Sequence, residues 1–179
     1  MKKIGIVTDS HSSISQEEAK KLGIFVLPMP FYIDGECYYE SVTLSRELFF
    51  EKLTSGADIS TSQPSPTAVM EIWDKALEEY EKILYMPISS GLSSSYNTAM
   101  MLAQEEKYEG RVLVVDDGQV AAPLHQMILD TLDMIEKGYE AEHIRELLEK
   151  AGDRMMIYIA LQTLEFLKKG GRVTPAAAA

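Results

Sequence analysis

The chain has 179 residues, which is enough for one domain with a hydrophobic core and part of a second. Hydrophobic residues make up 46% of it and charged residues 25%, as in ordinary globular proteins. The formal net charge of −11 disfavours nucleic acid and anionic membrane surfaces as partners, because binding to polyanions requires clustered lysine and arginine.

Cysteine usage and the first residues indicate the compartment. Cys37 is the only cysteine, which excludes an intrachain disulfide and a cysteine-based metal site, and we expect it to be buried and unreactive. No apolar run reaches the length of a membrane span. Residues 1–8 lead directly into a strand pattern without the apolar region of a signal peptide, so we expect a cytoplasmic protein.

A strand and a capped helix open the chain. Residues 3–8 form a β-rich apolar run. Ser15 and Glu18 then have the spacing of a capping box, which predicts a helix that runs to about Leu22 and stops at Gly23. This is the first step of an alternating pattern of strands and helices.

Residues 24–31 are apolar but contain Pro28 and Pro30. The spacing of two leaves both missing N–H groups on the same side, so we expect an edge strand. An Asp-Gly pair at positions 34 and 35 separates this segment from residues 36–38, and such a pair predicts a hairpin turn.

Two helices are predicted next, with a hydroxyl-rich loop between them. Residues 43–53 have helical spacing, with Phe49, Phe50 and Leu53 on the buried side. Residues 58–66 form the loop, which ends with a serine N-cap and a proline at the first helical position. The second helix has an apolar stripe made of Val69, Ile72, Trp73, Ala76, Leu77 and Tyr80.

A serine-rich loop follows a short buried strand at residues 82–86. Residues 87–95, here called the serine loop, contain five serines and one glycine, and a helix begins after them. One serine is enough to cap a helix, so five around a glycine indicate a bound anion. A strand, a turn and a helix N-terminus offer an anion free N–H groups and a partial positive charge. A plain helix cap with a solvated loop remains the alternative.

The rest of the chain continues the alternation. Residues 111–115 predict a strand that ends in Asp116-Asp117, and residues 154–160 predict a further strand. Residues 163–169 begin a helix that runs into four alanines, which we interpret as an interrupted helix. Two helices between these strands have apolar faces made of Leu124, Met127, Ile128, Leu132 and Ile135, and of Ile144, Leu147, Leu148 and Ala151.

The strands near residues 4, 84, 113 and 157 are apolar on both faces, which predicts an α/β fold, doubly wound, with a mostly parallel sheet and helices on both faces. Ligands of such sheets bind beyond the carboxyl ends of the strands. Polar loops follow three of the strands, and the loop at Thr61 leads into a helix N-terminus. We therefore expect these loops to meet at one rim.

No catalytic or cofactor template fits the sequence. The histidines and acidic residues lack the spacing of a metal site, and the glycine-rich nucleotide motifs are absent. The segment from Gly91 to Ser95 would need glycine at position 95 to form a nucleophile elbow. We assign no catalytic residue, no metal and no cofactor.

Four motifs taken together resemble the DegV family, and they extend from one end of the chain to the other. They are Ile6-Val7-Thr8-Asp9-Ser10, Thr61-Ser62-Gln63-Pro64-Ser65, Ser89-Ser90-Gly91-Leu92-Ser93 and Leu164-Glu165-Phe166-Leu167-Lys168-Lys169-Gly170-Gly171-Arg172. The resemblance implies a DegV-like N-terminal α/β domain over residues 1–162. It implies that residues 163–179 form a connecting helix and the start of an interrupted C-terminal domain.

The resemblance also implies a function. DegV-like proteins bind a long-chain fatty acid and act as the carrier subunit of bacterial fatty acid kinase, without catalytic machinery of their own. They present the carboxylate to a separate ATP-binding subunit, and the acyl phosphate product feeds phospholipid synthesis. The implied roles are hydrogen bonds to the carboxylate from Thr61 and Ser93, backbone beside it at Gly91 and Ser94, and a position near the kinase surface for Arg172.

One implied ligand falls outside this sequence. The family's second domain contributes a histidine near the head group, and we expect it beyond residue 179, so neither His11 nor His125 is given this role. Two other hypotheses stay open. The loops could bind a phosphate or a phosphorylated metabolite in a small α/β transferase or hydrolase, or the rim could dock a partner protein and hold its ligand incidentally.

Overall fold

The computed structural model describes residues 2–40, 42–161 and 163–173. Its strands are β1 (Lys2–Asp9), β2 (Phe25–Leu27), β3 (Pro30–Ile33), β4 (Glu36–Tyr39), β5 (Ile59–Thr61), β6 (Tyr80–Met86) and β7 (Val112–Val114). Its helices are α1 (Gln16–Leu22), α2 (Arg46–Thr54), α3 (Pro66–Leu77), α4 (Ser95–Leu102), α5 (Ala121–Glu136), α6 (Ala141–Gly152) and α7 (Glu165–Lys169).

A parallel sheet with the strand order β2-β1-β6-β7 forms the centre of the fold. Helices cover both of its faces, because alternate residues of each strand point to opposite sides. In β6, Leu84 and Met86 pack with α1, α5 and α6, whereas Ile83 and Tyr85 pack with α3 and α4. The predicted doubly wound α/β fold is confirmed.

A second sheet is antiparallel, with the order β4-β3-β5. The hairpin between β3 and β4 is confirmed, with φ of 51° at Asp34 and 86° at Gly35. The prediction of one edge strand over residues 24–31 is wrong, because the segment divides into the edge strand β2 and the central strand β3. Pro30 is the first residue of β3, a position at which the strand can do without a backbone N–H donor to the neighbouring strand.

The early helices follow the predicted capping residues. Ser15 accepts a hydrogen bond from the backbone N–H of Glu18, at 3.1 Å, and α1 ends at Gly23. The second helix was predicted to begin three residues too early. Ser45 caps it by accepting from the N–H of Leu48, at 3.3 Å, which fixes its first residue as Arg46.

Several predictions about burial are wrong. No side chain of α2 is buried, and Phe50 is 47% exposed. Tyr80 is buried with the stripe of α3 as predicted, but it belongs to β6 and not to the helix, because it pairs with Lys2 across the sheet. Cys37 is exposed on β4, a short hairpin strand at the end of the antiparallel sheet, and Leu147 is 36% exposed on α6.

The strand predicted over residues 154–160 is also wrong. This segment is irregular, and Met156 and Tyr158 are 75% and 87% exposed. A strand requires a hydrogen-bonded neighbour, and within the described residues none pairs with this segment. Of the predicted C-terminal helix, α7 is observed over its last five residues. The four terminal alanines, with Thr174 and Pro175, lie outside the described residues.

Candidate functional site

A cavity of about 810 Å³ lies where β1 and β6 end and the antiparallel sheet begins, with α2 and α7 completing its walls. This size falls within the roughly 300–1,000 Å³ of small-molecule pockets. Most of its wall is apolar, and the apolar residues are Ile14, Val26, Met29, Pro30, Phe31, Leu44, Phe49, Phe50, Ile59, Ile88, Leu92, Phe166 and Leu167. The cavity can therefore hold a long apolar group.

Apart from Gln16 and one carboxylate, the polar residues of the wall carry hydroxyl or basic side chains. The hydroxyls belong to Ser10, Ser13, Ser15, Ser45, Thr61, Ser62 and Ser93. The ionisable groups are His11, Arg46, Arg172 and Glu40. In a chain whose net charge is −11, this balance is locally favourable for an anion.

The predicted meeting of the polar loops at one rim is confirmed. The buried carboxylate of Asp9 follows β1 and accepts a hydrogen bond from the N–H of Ile88, at 2.8 Å. Asp116 follows β7 and accepts from the N–H of Ser90, at 3.3 Å. The serine loop is thus held from both neighbouring strands by carboxylates that act on its backbone.

The predicted head-group residues Thr61 and Ser93 both line the cavity. Thr61 is the last residue of β5, opposite Phe31 on β3, and Ser93 precedes the first turn of α4. Gly91 and Ser94 lie in the same loop but outside the lining of the cavity. Of the segment predicted as a loop, residues 59–61 form the strand β5. The pairing of this strand with β3 fixes the backbone that carries the Thr61 hydroxyl.

The hydroxyl of Ser93 is arranged to act as a donor. Its oxygen accepts two hydrogen bonds from Ser95, one from the N–H at 3.2 Å and one from the hydroxyl at 2.8 Å. A hydroxyl has two acceptor sites and one proton. When the Ser95 hydroxyl is the donor of this pair, both acceptor sites of Ser93 are used and its own proton is available for an acceptor-only group such as a carboxylate in the cavity.

His11 is a cavity residue that sequence reasoning did not assign. Its Nδ1 lies 3.3 Å from the carboxylate of Asp9 and is buried, while 35% of the side chain is exposed. Burial lowers the pKa of His11, but contact with Asp9 and the charges of Asp9 and Glu40 outweigh it, so the pKa is raised above its usual value. The sequence signal was its position two residues after a strand-ending aspartate.

The C-terminal segment crosses the cavity and contacts both of its sides. The guanidinium of Arg172 donates from Nε to the carbonyl of Leu92 in the serine loop, at 3.2 Å. Lys169 forms an ion pair with Asp58, which precedes β5. Arg172, predicted to lie near a partner surface, is therefore also part of the cavity wall.

A buried acid lies behind the serine loop. Asp117 is fully buried, and its Oδ1 accepts from the N–H of Gln119, at 2.9 Å. The carbonyl of Gln119 in turn accepts from the N–H of Ser89, at 3.0 Å. Burial, with the charges of Asp116 and Asp9, outweighs that hydrogen bond and raises the pKa of Asp117 to about 7.

Within the described residues, no group of three or more histidine, cysteine or acidic side chains has the arrangement of a metal site. Nor is any helix in these ranges long and apolar enough to cross a lipid bilayer.

Comparisons with known proteins agree on one family. The family model described as "Uncharacterised protein, DegV family" matches residues 3–179. A DegV domain-containing protein of Deinococcus radiodurans is 34% identical over 176 residues, which cover 98% of this chain and 62% of that protein.

Solved structures give the same result. A DegV family protein from Thermus thermophilus, described by its fatty acid binding, superposes with a TM-score of 0.87 at 33% identity and covers 98% of this chain. A stearic acid-binding protein from Eubacterium ventriosum superposes with a TM-score of 0.81 at 25% identity and covers the whole chain. The chain spans 62% and 64% of the lengths of these two proteins.

Proposed function

The chain belongs to the DegV family, and from this premise we propose that it binds a long-chain fatty acid with the carboxylate between Thr61 and Ser93. The observation that carries the proposal is one cavity whose wall is mostly apolar and whose polar part is formed mainly by hydroxyl and basic side chains. An amphipathic ligand with one anionic end matches both parts. The relatives described as binding fatty acids support the same ligand class.

The energetics favour an acyl chain over a small polar anion. Each buried methylene contributes about 0.8 kcal/mol, so a long acyl chain contributes on the order of 10 kcal/mol before the costs of ordering it. Inorganic phosphate or a phosphorylated metabolite would use the polar part of the cavity only. The aromatic side chains of Phe31, Phe49 and Phe166 would then make no apolar contact with the ligand.

The head group is recognised by donors rather than by a lysine. The hydroxyl of Ser93 has its proton available, and Thr61 presents a second hydroxyl from the end of β5. The loop nearby is held by Asp9 and Asp116, which act on its backbone and not on the hydroxyl of Ser93. Gly91 and Ser94 complete this loop, and we propose that their backbone lies beside the carboxylate.

We propose that the protein carries the fatty acid rather than transforming it. In this account a separate ATP-binding kinase subunit phosphorylates the carboxylate, and Arg172 lies at the surface that this subunit contacts. The Nε of Arg172 also donates a hydrogen bond to the carbonyl of Leu92 in the serine loop. A partner that contacts Arg172 would therefore act on the loop that binds the carboxylate. The acyl phosphate would then enter phospholipid synthesis.

The binding proposal is tested with the double variant Thr61→Val and Ser93→Ala. Valine keeps the shape of threonine and alanine removes only the hydroxyl of serine, so both hydroxyl donors are lost. Each lost hydrogen bond to a charged group corresponds to about 1.5–3 kcal/mol, so the affinity for stearate should fall by about 100-fold or more. The matched control is Thr98→Val with Ser90→Ala, two hydroxyls outside the cavity wall. Equal affinities of the two double variants would contradict the proposal.

The carrier proposal has its own test. The protein is incubated with stearate and ATP, with and without the kinase subunit, and acyl phosphate is trapped with hydroxylamine. Hydroxamate should form only with both components, and Arg172→Ala should reduce its rate at saturating stearate. Formation of hydroxamate by this chain alone would contradict the carrier role and leave fatty acid binding unaffected.

A further inference from the structure

His11 is held at the cavity by a buried carboxylate. The oxygen Oδ1 of Asp9 accepts from the backbone N–H of His11, at 2.9 Å, and lies 3.3 Å from the ring Nδ1, which is buried and makes no aligned hydrogen bond with the described residues. Asp9 is itself fixed, because its other oxygen accepts from the N–H of Ile88 and its side chain is fully buried. The imidazole therefore lies against the same framework that holds the serine loop.

The other edge of the imidazole is available to a ligand. Nδ1 is buried, so the 35% of the side chain that is exposed belongs to the remainder of the ring. Within residues 2–40, 42–161 and 163–173, Nε2 of His11 makes no hydrogen bond. His11 lines the same cavity as Thr61 and Ser93.

Resting on the proposed function, we propose that His11 is a third ligand of the bound carboxylate, held by Asp9, and that the site binds its ligand more tightly when the imidazole is protonated. An imidazolium donates from both nitrogens, so Nδ1 can serve Asp9 while Nε2 serves the ligand. A neutral imidazole has one proton for these two acceptors. Loss of the second proton therefore removes one of the two interactions.

The charges around His11 determine the pH range in which the imidazole loses its second proton. Asp9 and Glu40 favour the protonated form, whereas Arg172 and burial oppose it, and the balance raises the pKa of His11. Arg46 lines the same cavity from α2. Helix α5 packs against the turn that carries His11. The histidine of this helix, His125, has its Nε2 3.1 Å from the carboxylate of Glu18.

A bound carboxylate adds a negative charge and stabilises the imidazolium further. By linkage, binding of the fatty acid must raise the pKa of His11, and protonation must raise the affinity. The affinity should be highest below the pKa of His11 and should fall as pH rises through it.

The test measures stearate affinity from pH 6 to pH 9 for the wild type and for His11→Asn. The ratio of the two affinities removes the effect of stearate's own ionisation. We expect the variant to bind about tenfold more weakly at pH 6, as for one lost charge-assisted hydrogen bond, and equally at pH 9. His125→Asn is the matched control, since that histidine is also half-buried and close to a carboxylate but lies outside the cavity wall, and its ratio should stay near one.

A second readout separates head-group contact from general packing. NMR titration of the His11 ring should show a higher pKa with stearate than without it, and no change with octadecanol, which has the same chain without the charge. An affinity ratio that is constant from pH 6 to pH 9, or a ring pKa that stearate leaves unchanged, overturns the role of His11. Absence of saturable stearate binding by the wild type overturns the proposed function as well.

Discussion

Replacing Asp117 with asparagine should make the protein's stability less dependent on pH. The carboxyl of Asp117 is fully buried, and its Oδ2 has no hydrogen-bond partner among the described residues. Burial raises its pKa from the usual 3.8 to about 7, so the folded protein binds this proton more tightly than the unfolded chain does. The contribution of this carboxyl to stability is therefore greatest at low pH and falls as pH rises between the two pKa values.

The magnitude follows from the difference between the two pKa values. At pH 5 the folded protein keeps the proton that the unfolded chain has mostly lost, which lowers the stability by roughly 2 kcal/mol relative to low pH. At pH 8 both states are ionised, and this loss of stability reaches roughly 4 kcal/mol. Asparagine does not titrate, so the stability of Asp117→Asn relative to the wild type should increase by roughly 2–3 kcal/mol from pH 5 to pH 8.

Urea unfolding at several pH values measures this difference. Comparing two pH values cancels the constant cost of placing an amide at the position, whatever its size. Asp130→Asn is the control, because Asp130 is exposed on α5 and should give a difference that does not change with pH to this extent. If Asp117→Asn and the wild type have parallel stability profiles from pH 5 to pH 8, the carboxyl is not perturbed as argued.

Two further predictions concern packing behind and within the cavity. A Cβ added at Gly152 would lie 2.2 Å from the carbonyl oxygen of Asp117, so Gly152→Ala should lower the free energy of unfolding by about 1–3 kcal/mol. Gly91→Ala, whose nearest neighbour would lie at 3.5 Å, should change it less, and equal losses would contradict the close approach. Phe49→Ala widens the cavity wall and should shift the preferred fatty acid towards longer chains in competition with stearate. Phe25 lies outside that wall, so Phe25→Ala should leave the preference unchanged. If both variants shift the preference, the shift reflects a loss of stability and not the shape of the cavity.

The parts of the fold that depend on local pattern were predicted correctly. Capping residues placed α1 and α3, because a serine side chain satisfies a free N–H of the first turn wherever it occurs. Apolar runs with no polar face predicted β1, β6 and β7 of the parallel sheet, because such runs are buried on both sides. The family resemblance, carried by four motifs, predicted Thr61 and Ser93, which the structure places at one cavity.

The errors come from contacts that local pattern does not contain. The segment at residues 154–160 has the composition of a strand, but a strand also requires a neighbour with free backbone groups. The division of residues 24–31 between two sheets depends on where β1 and β5 lie in space. Sheet pairing is long-range, so a single-sequence pattern cannot assign it.

His11 illustrates the same limit at the site. In the sequence it is one of three histidines, and none has the spacing of a metal or catalytic motif. Its significance arises from the burial of Asp9 and from the closure of the antiparallel sheet over the same cavity. Both are properties of the folded chain, so the residue was identified only once the cavity walls were known.

The central claim is that this cavity holds a long-chain fatty acid, and mass spectrometry of the organic extract of the purified protein tests it most directly. We expect a long-chain fatty acid in near-stoichiometric amount, with its chain length giving the preference of the cavity, and we expect the Thr61→Val and Ser93→Ala double variant to retain much less. An extract without fatty acid, together with no saturable binding when stearate is added back, would contradict the account.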